Sequence, residues 1–433
     1  MPISRRAALW SLAGSLTSLA TAAADDWPQW RGPQRDGVWR ERRILDRFED
    51  GKIPILWRAE IGAGYSGPSV AEGLVFVTDR LTEPKQVERV HCFDQISGAK
   101  LWTHTYDCPY ENISYQAGPR ASVIIDSGDA YALGTMGNLH CLDANTGTVI
   151  WARDLNRDFK IRMPGWGISA SPLIWKDHLI LQIGGSDGAC VVGLDKRTGE
   201  EVWRALNDRP GYSAPIMIEQ GGESLVLCWT GDSVAAIDPR RGEVRWRYPW
   251  APRKMPIGVP TPVVSGDRVF ITSFYDGSLM LRIDPNRATY EKLWHRVGAN
   301  EIETDALQSI ISTPVFEGDY IYGVDSYGQL RCLRAENGDR VWEDQTATPK
   351  IRWGTIHFVK HEDRYFLFNE RGELIIARLS PEGYDEIDRA KLIEPTTEQL
   401  RRRDGVCWSH PAFADRQVLA RNDKEIVCGD LSR

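Results

Sequence analysis

The 433-residue chain lacks the short motifs by which many catalytic and metal sites are recognised. It contains no Cys-x-x-Cys pair, no His-Glu-x-x-His segment, no Gly-x-x-x-x-Gly-Lys phosphate loop and no EF-hand loop. Nor does it contain two adjacent cysteines. These absences exclude the zinc, nucleotide and calcium sites that such motifs define, and no metal ligands or catalytic residues can be assigned from the sequence.

The chain has fewer basic than acidic side chains. The chain has 53 Lys and Arg against 60 Asp and Glu, a formal net charge of −7. A mildly acidic chain carries no electrostatic footprint for nucleic acid or anionic lipid. The apolar run over residues 7–22 is short for a membrane anchor and rich in Ser, Gly and Thr. The composition therefore predicts no nucleic-acid partner and no stable membrane insertion.

The N-terminal residues have the features of an export signal. Arg5 and Arg6 precede the apolar run, and small residues lead up to Ala24. Residues 4–9 resemble a twin-arginine signal, and an ordinary secretion signal is the alternative. Residues 1–24 are therefore predicted to be a signal peptide that is removed on export to the periplasm or the cell exterior.

A repeated phrase that ends in tryptophan dominates the rest of the chain. Residues 142–151 read as the end of one strand, a tight turn with Gly147, and a second strand that ends at Trp151. Four further copies keep a glycine four residues before the tryptophan, and they end at Trp102, Trp203, Trp246 and Trp342. A looser copy without the glycine ends at Trp294, and a copy near Gly383 has Ile387 in place of tryptophan.

The spacing of these tryptophans predicts the fold. From Trp57 to Trp342 the mean spacing is 47.5 residues, which divides the 377 residues from Trp57 to Arg433 into about eight units. A four-stranded propeller blade takes roughly 40 to 50 residues. We therefore predict an all-β, eight-bladed propeller over residues 53–433 with four-stranded antiparallel blades. The last blade has room for three strands, so a strand around Trp57 should complete it and close the ring.

Other features complete this prediction. Residues 25–52, which contain Trp27-Pro-Gln-Trp30 near their start, are expected to form an extended arm over the propeller.

A short helix within residues 388–403 is suggested by Thr396 and Gln399 as a capping pair. Cys92, Cys141, Cys332 and Cys428 recur at one repeat position in different blades, too far apart for disulfides, so they are expected to be free. The same reasoning leaves four cysteines undetermined: Cys108, Cys190, Cys228 and Cys407.

The repeat resembles that of the pyrroloquinoline quinone (PQQ) family over essentially the whole of residues 57–433. That family includes eight-bladed quinoprotein alcohol dehydrogenases and non-enzymatic relatives in outer-membrane β-barrel assembly. The resemblance implies a blade-docking role for Trp102, Trp151, Trp203, Trp246, Trp294 and Trp342. It also implies PQQ with Ca²⁺ in the axial funnel, should this chain be a dehydrogenase.

Aromatic and polar residues flank the predicted innermost strands. Residues at one height on several inner strands converge at one end of the channel, where rigid aromatics and a few polar groups make a ligand pocket. The candidates for this funnel mouth are Tyr65, Arg120, Trp166, Tyr212, Asp305, Gln308, Trp353, His357, Trp408 and His410. The alternative is that the aromatics pack between blades and the histidines satisfy backbone groups.

Three functions remain open on this basis. The favoured one is a non-enzymatic binding or interaction module of the cell envelope, with a protein partner or a small ligand. The second is a PQQ- and Ca²⁺-dependent dehydrogenase that oxidises an alcohol or sugar, although the metal ligands and the carboxylate base cannot be aligned. The third is a scaffold in outer-membrane protein assembly.

Overall fold

The computed structural model describes residues 26–433, so the predicted export signal lies outside the described residues. Eight four-stranded antiparallel sheets form the blades of a propeller, which confirms the predicted fold. Blades 1 to 3 contain β2 (Ser69–Ala71), β3 (Leu74–Leu81), β4 (Val87–Asp94) and β5 (Lys100–Asp107); β6 (Ile124–Asp126), β7 (Asp129–Leu133), β8 (Asn138–Asp143) and β9 (Val149–Asp154); and β10 (Leu173–Trp175), β11 (His178–Gln182), β12 (Val191–Asp195) and β13 (Glu201–Ala205).

Blades 4 to 7 follow the same order from the innermost to the outermost strand. They contain β14 (Ile216–Gln220), β15 (Glu223–Trp229), β16 (Ser233–Ile237) and β17 (Val244–Pro249); β18 (Val263–Ser265), β19 (Arg268–Ser273), β20 (Gly277–Ile283) and β21 (Tyr290–Arg296); β22 (Val315–Glu317), β23 (Tyr320–Val324), β24 (Leu330–Arg334) and β25 (Arg340–Asp344); and β26 (Ile356–His361), β27 (Arg364–Asn369), β28 (Glu373–Ser380) and β29 (Gly383–Lys391). Within residues 26–433 one short helix, α1 (Leu155–Phe159), lies between β9 and β10, and a 3₁₀ turn at Glu49–Gly51 precedes the first strand.

The eighth blade joins the two ends of the described chain. It contains β30 (Ala412–Ala414), β31 (Gln417–Arg421) and β32 (Glu425–Asp430), and β1 (Ile55–Glu60) is its outermost strand. Trp57 pairs with Cys428, and Arg58 pairs with Val427. The backbone groups of β32 are thereby satisfied on both sides, as the strand count predicted.

The repeated tryptophan lies against the turn of the next blade. The indole Nε1 of Trp102 donates to the carbonyl of Ala144 (3.0 Å), and a Cβ added to Gly147 would lie 2.7 Å from the Trp102 ring. Gly147 has φ +71°, which suits the turn that Asp143 caps. The same contact recurs between Trp151 and Gly199. The glycine of the repeat phrase therefore has two roles. It permits the left-handed turn in its own blade, and it leaves room for the tryptophan ring of the preceding blade.

Trp246 is the exception, and the reason lies in the next blade. Its Nε1 donates to the side-chain oxygen of Gln220 in its own blade (2.8 Å) rather than to a backbone carbonyl of blade 5. The looser repeat copy in blade 5 has no turn glycine. The missing glycine thus coincides with a different hydrogen-bond partner for the preceding tryptophan.

The segment before blade 8 differs from its prediction. The expected short helix within residues 388–403 is wrong, because β29 continues to Lys391 and no helix follows it there. The hydroxyl of Thr396 bonds instead to Asp423 (2.6 Å), and Gln399 donates to the carbonyl of Gly64 (2.7 Å). These two side chains, whose spacing suggested a cap, tie the connection to its neighbours.

The arm contacts blades 1 and 8 and the connection before blade 5. Trp27 pairs with Val70 in blade 1, and Trp30 donates to Thr261 before blade 5 (2.9 Å). The indole ring of Trp39 packs against the ring of Phe413 in blade 8. The arm therefore contacts blades on opposite sides of the axis.

All eight cysteines are buried and free, including the four that the sequence left undetermined. Burial raises the pKa of the Cys228 and Cys407 thiols to about 12. Within the described residues, no helix has the length and hydrophobicity that crossing a bilayer requires.

Candidate ligand-binding site at the channel mouth

A cavity opens where the outermost strand of each blade connects to the innermost strand of the next. Its cavity volume is about 150 Å³. All eight connections contribute to its lining: Tyr65; Tyr115 and Arg120; Trp166, Ser169 and Ser171; Tyr212 and Ala214; Val259 and Thr261; Ile310 and Ile311; Trp353; Trp408 and His410. His357 of β26 and Trp30 of the arm complete it.

Eight of the ten predicted site residues line this cavity, and two do not. Asp305 forms an ion pair with Arg296 (2.8 Å). Gln308 is wholly buried, where it accepts from the amide of Gly298 (2.8 Å) and donates to the carbonyl of Phe274 (2.9 Å). Both side chains brace the connection before blade 6. The sequence placed them just before an inner strand, and that placement does not fix the direction of a side chain.

The sequence missed several lining residues. Trp30 was expected to anchor the arm, and the structure places it in the cavity wall, edge-on to His410 with 4.4 Å between ring centroids. Tyr115 belongs to no repeat phrase, and Ile310 and Ile311 read as ordinary core residues. No local signal marks these positions, since only closure of the ring brings the connections together.

Tyr115 lies among three tryptophans. Its ring centroid is 5.6 Å from that of Trp166, 6.0 Å from Trp353 and 6.4 Å from Trp408. Trp166 in turn stacks on Tyr212 at 5.1 Å. Offset and edge-on contacts at these separations are favourable for aromatic pairs. The result is a wall of flat, rigid rings around one end of the cavity.

Two of these aromatic residues have an unusual backbone conformation. Tyr115 has φ +58° and Trp353 has φ +69°, in the left-handed region that bulky side chains rarely occupy. Such residues cost of order 1–3 kcal/mol each and concentrate at functional sites. Arg120 holds the Tyr115 loop by donating to the carbonyls of Ser114 (3.1 Å), Tyr115 and Gly118. The strain at the mouth is therefore supported by a dedicated side chain.

The two cavity histidines are neutral at physiological pH. Burial lowers the pKa of His357 to about 4, and burial with the neighbouring His357 lowers that of His410 to about 3. His357 donates through Nε2 to the carbonyl of Trp408 (2.8 Å), and His410 Nε2 bonds to the hydroxyl of Ser122 (2.8 Å). Both histidines thus have hydrogen-bond partners within the protein.

Positive charge lies around the cavity without a carboxylate in its lining. Arg120 is the charged lining residue, with its guanidinium carbon 5.0 Å from the Tyr65 ring centroid. Beneath the floor, burial lowers the pKa of Arg31 to about 10 and that of Arg35 to about 9, so both remain protonated at pH 7. No Asp or Glu lines the cavity among residues 26–433.

This donor set does not fit calcium-bound PQQ. Ca²⁺ takes six to eight oxygen ligands, with carboxylates prominent among them. Besides three tyrosine phenols the lining offers three aliphatic hydroxyls, and those of Ser171 and Thr261 already accept from Ser122 N (3.1 Å) and Trp30 Nε1 (2.9 Å). Across the described part of the chain, no three His, Cys, Asp or Glu side chains are grouped so as to hold a metal. The cavity therefore provides neither calcium ligands nor a carboxylate base.

Comparison with known proteins gives the family. The family model described as "Outer membrane protein assembly factor BamB" matches residues 86–344, about three fifths of the chain. The chain belongs to this family. The BamB of Burkholderia pseudomallei (strain K96243) is 27% identical over 227 residues, which cover 50% of this chain and 53% of that protein. This chain thus spans about half the length of that curated relative.

Quinoprotein dehydrogenases are also among the relatives of this BamB-family chain. A quinoprotein ethanol dehydrogenase of Pseudomonas putida is 31% identical over 149 residues, 31% of this chain and 23% of that enzyme. A europium-containing methanol dehydrogenase matches 94% of this chain and 90% of its own with a TM-score of 0.66 at 14% identity. BamB from Moraxella catarrhalis matches 86% and 98% with a TM-score of 0.57 at 17% identity. The two structural matches show the fold alone.

Proposed function

We propose that this chain is exported and works in the cell envelope as a binding protein, with one flat, mostly apolar ligand in the channel-mouth cavity. The observation that carries the proposal is the convergence of all eight inter-blade connections on one aromatic-lined cavity. Aromatic walls with a few polar groups are typical of small-molecule pockets. The envelope location is supported by the BamB family match and by the export signal predicted over residues 1–24.

The backbone strain at Tyr115 and Trp353 supports the same proposal. Of the non-glycine residues with positive φ among residues 26–433, Tyr115 and Trp353 are the two aromatic ones, and both line the cavity. Rigid rings held in place before a ligand arrives reduce the entropy lost on binding. We expect these two residues, whose rings meet at 65° with centroids 6.0 Å apart, to form one corner of the wall against which the ligand packs.

The test uses 2-naphthylmethanol, an uncharged flat probe, with tryptophan fluorescence and calorimetry as readouts. The full-length mature protein should bind one equivalent. Trp408→Ala and Trp353→Ala should weaken binding at least about tenfold, since burying an aromatic face is worth about 1.5–3 kcal/mol. Trp175→Ala is the matched control, because Trp175 is half-buried and contacts Lys176 and Arg240 rather than the cavity. No saturable binding, or equal losses in all three variants, would overturn the proposal.

Reconstitution tests the dehydrogenase alternative directly. The purified protein is mixed with PQQ and Ca²⁺, and dye reduction is followed with a panel of alcohols and sugars. We expect no turnover, since the lining lacks a carboxylate base. Stoichiometric cofactor binding with turnover would show that the chain is a quinoprotein enzyme instead.

Protein binding in the envelope is a second candidate, and the BamB family match favours it. A groove beside the cavity shares Tyr115 with it and is lined by Arg80, Gln86 and residues 398–402. A photo-crosslinking residue placed at Glu83, on the groove wall, should capture one defined envelope protein in cells. The same crosslinker at Glu291, on the outer strand of blade 5, serves as the control, and identical capture at both positions would remove this candidate.

A further inference from the structure

Tyr115 covers two of the tryptophans on which the proposed ligand packs. Trp353 and Trp408 each expose only 8% of their surface. The Tyr115 ring contacts both of them and is itself only half-buried. A ligand that packs on these two indoles therefore has to displace a group that already lies against them.

The size of the cavity leads to the same conclusion. Small-molecule pockets have volumes of roughly 300–1,000 Å³. The cavity has a volume of about 150 Å³ with the Tyr115 ring in its wall, and the groove beside it, which Arg80, Gln86 and residues 398–402 line, has a volume of about 1130 Å³. Within residues 26–433, Tyr115 is the one residue that the two linings have in common. Movement of its ring toward the groove therefore joins the two spaces.

The backbone around Tyr115 is held in place. The amide of Ser114 donates to the carbonyl of Gly165 (2.7 Å). Arg120 donates to the carbonyls of Ser114 (3.1 Å) and Tyr115. The movement is therefore a rotation of the side chain, which for exposed residues takes place within nanoseconds.

The phenol hydroxyl of Tyr115 is held more weakly than the backbone. It accepts a hydrogen bond from Arg402 that is long (3.3 Å) and exposed. Arg402 lines the groove and also lies on the Trp353 ring, 4.1 Å from its centroid. Rotation of the phenol toward the groove breaks this bond and the contacts with the tryptophan rings, and it leaves the backbone bonds intact.

We infer that the Tyr115 side chain is a gate between the groove and the cavity. It rotates toward the groove to admit the ligand and then lies against the bound ring. Arg402 holds it in the closed position. The inference rests on the proposed ligand-binding function and adds the route by which the ligand enters.

Stopped-flow fluorescence with 2-naphthylmethanol separates a gate from a wall, because only a gate limits the association rate. Tyr115→Ala should raise the association rate constant about ten- to hundredfold, since it removes the three aromatic contacts that keep the gate closed. Tyr115→Phe keeps those contacts and loses the bond from Arg402, so it should raise the rate constant about two- to fivefold. An unchanged or lower association rate for Tyr115→Ala, with faster dissociation alone, would overturn the inference and leave the proposed function standing.

Tyr290 provides the matched controls. It is half-buried on the outermost strand of blade 5, its ring contacts Trp246, and its hydroxyl donates to the carbonyl of Arg247 (3.0 Å). Tyr290→Ala and Tyr290→Phe should leave the association rate unchanged. Equal rate changes at Tyr115 and Tyr290 would refute the gate, whereas failure of the unmodified protein to bind 2-naphthylmethanol would refute the proposed function itself.

A bulky label tests the route through the groove. All eight native cysteines are buried, so a biotin maleimide reacts selectively with an exposed cysteine that is introduced by mutation. Streptavidin bound to the label on Glu83→Cys, in the groove lining, should slow association, and streptavidin on Glu291→Cys, on the outermost strand of blade 5, should not. Equal association rates for the two labelled proteins would overturn the inferred route.

Discussion

The glycine of the repeat phrase gives the sharpest test of how the blades hold together. Gly147 and Gly128 both belong to blade 2, and both have a left-handed backbone, with φ +71° and +84°. A Cβ at Gly147 would lie 2.7 Å from two carbons of the Trp102 ring, whereas a Cβ at Gly128 would meet nothing within 4 Å. The two Gly→Ala variants therefore share the backbone strain and differ in the inter-blade contact.

The expected difference follows from that comparison. An L-residue in the left-handed region costs roughly 1–2 kcal/mol, which applies to both variants. Overpacking adds about 1–3 kcal/mol to Gly147→Ala alone, because the Trp102 ring has to move off the turn. For about 400 residues unfolding together, an unfolding entropy of ~2 cal/mol/K per residue converts the difference to about 1–4 °C in Tm.

Differential scanning calorimetry of the two variants and the unmodified protein measures this difference. Trp102 fluorescence is too diluted by the other 16 tryptophans to report it alone. Gly147→Ala should have the lower Tm of the two variants, and Gly199→Ala should repeat the result through Trp151. Equal Tm values for Gly147→Ala and Gly128→Ala would refute the claim that the glycine serves the preceding blade's tryptophan.

Three further predictions follow from particular contacts. Gln220→Ala should lower the free energy of unfolding by about 1–3 kcal/mol in urea titrations, because it leaves the buried Trp246 Nε1 without its acceptor; exposed Glu219→Ala is the control, and an equal loss would contradict the reasoning. Trp30→Ala should remove part of the cavity wall and weaken 2-naphthylmethanol binding in calorimetry, while an unchanged affinity would mean that Trp30 only anchors the arm. Acid should destabilise the fold, because His357 and His410 have folded pKa values of about 4 and about 3, whereas unfolded histidines take up protons below about pH 6.5. The stabilisation from the two neutral histidines is complete above about pH 6.5 and is lost as the pH falls toward their folded pKa values. The Tm of a His357→Gln, His410→Gln double variant should therefore fall less steeply with pH over that range than the Tm of the unmodified protein.

The sequence by itself determined the architecture, because each repeat is a local structure. The turn at Asp143 to Gly147, the β-branched residues after it and the tryptophan at its end specify one strand pair without help from distant residues. Counting the copies then gave eight blades, and the blade short of a strand predicted the pairing of Trp57 with the segment at Val427 and Cys428. Where a copy lost its glycine, in blade 5, the structure shows a changed partner for Trp246.

Only the tertiary structure decided which residues form the cavity. Tyr115 and Trp408 are nearly 300 residues apart in sequence, and their rings lie 6.4 Å apart because the ring of blades closes. Asp305, like Trp353, lies in a connection between an outermost strand and the next innermost strand, yet its carboxylate pairs with Arg296 and does not line the cavity. A position in the repeat fixes the height of a residue on its blade, whereas the direction of its side chain depends on partners that closure supplies. For this reason the number of blades could be predicted from the sequence, whereas the set of side chains that line the channel-mouth cavity could not.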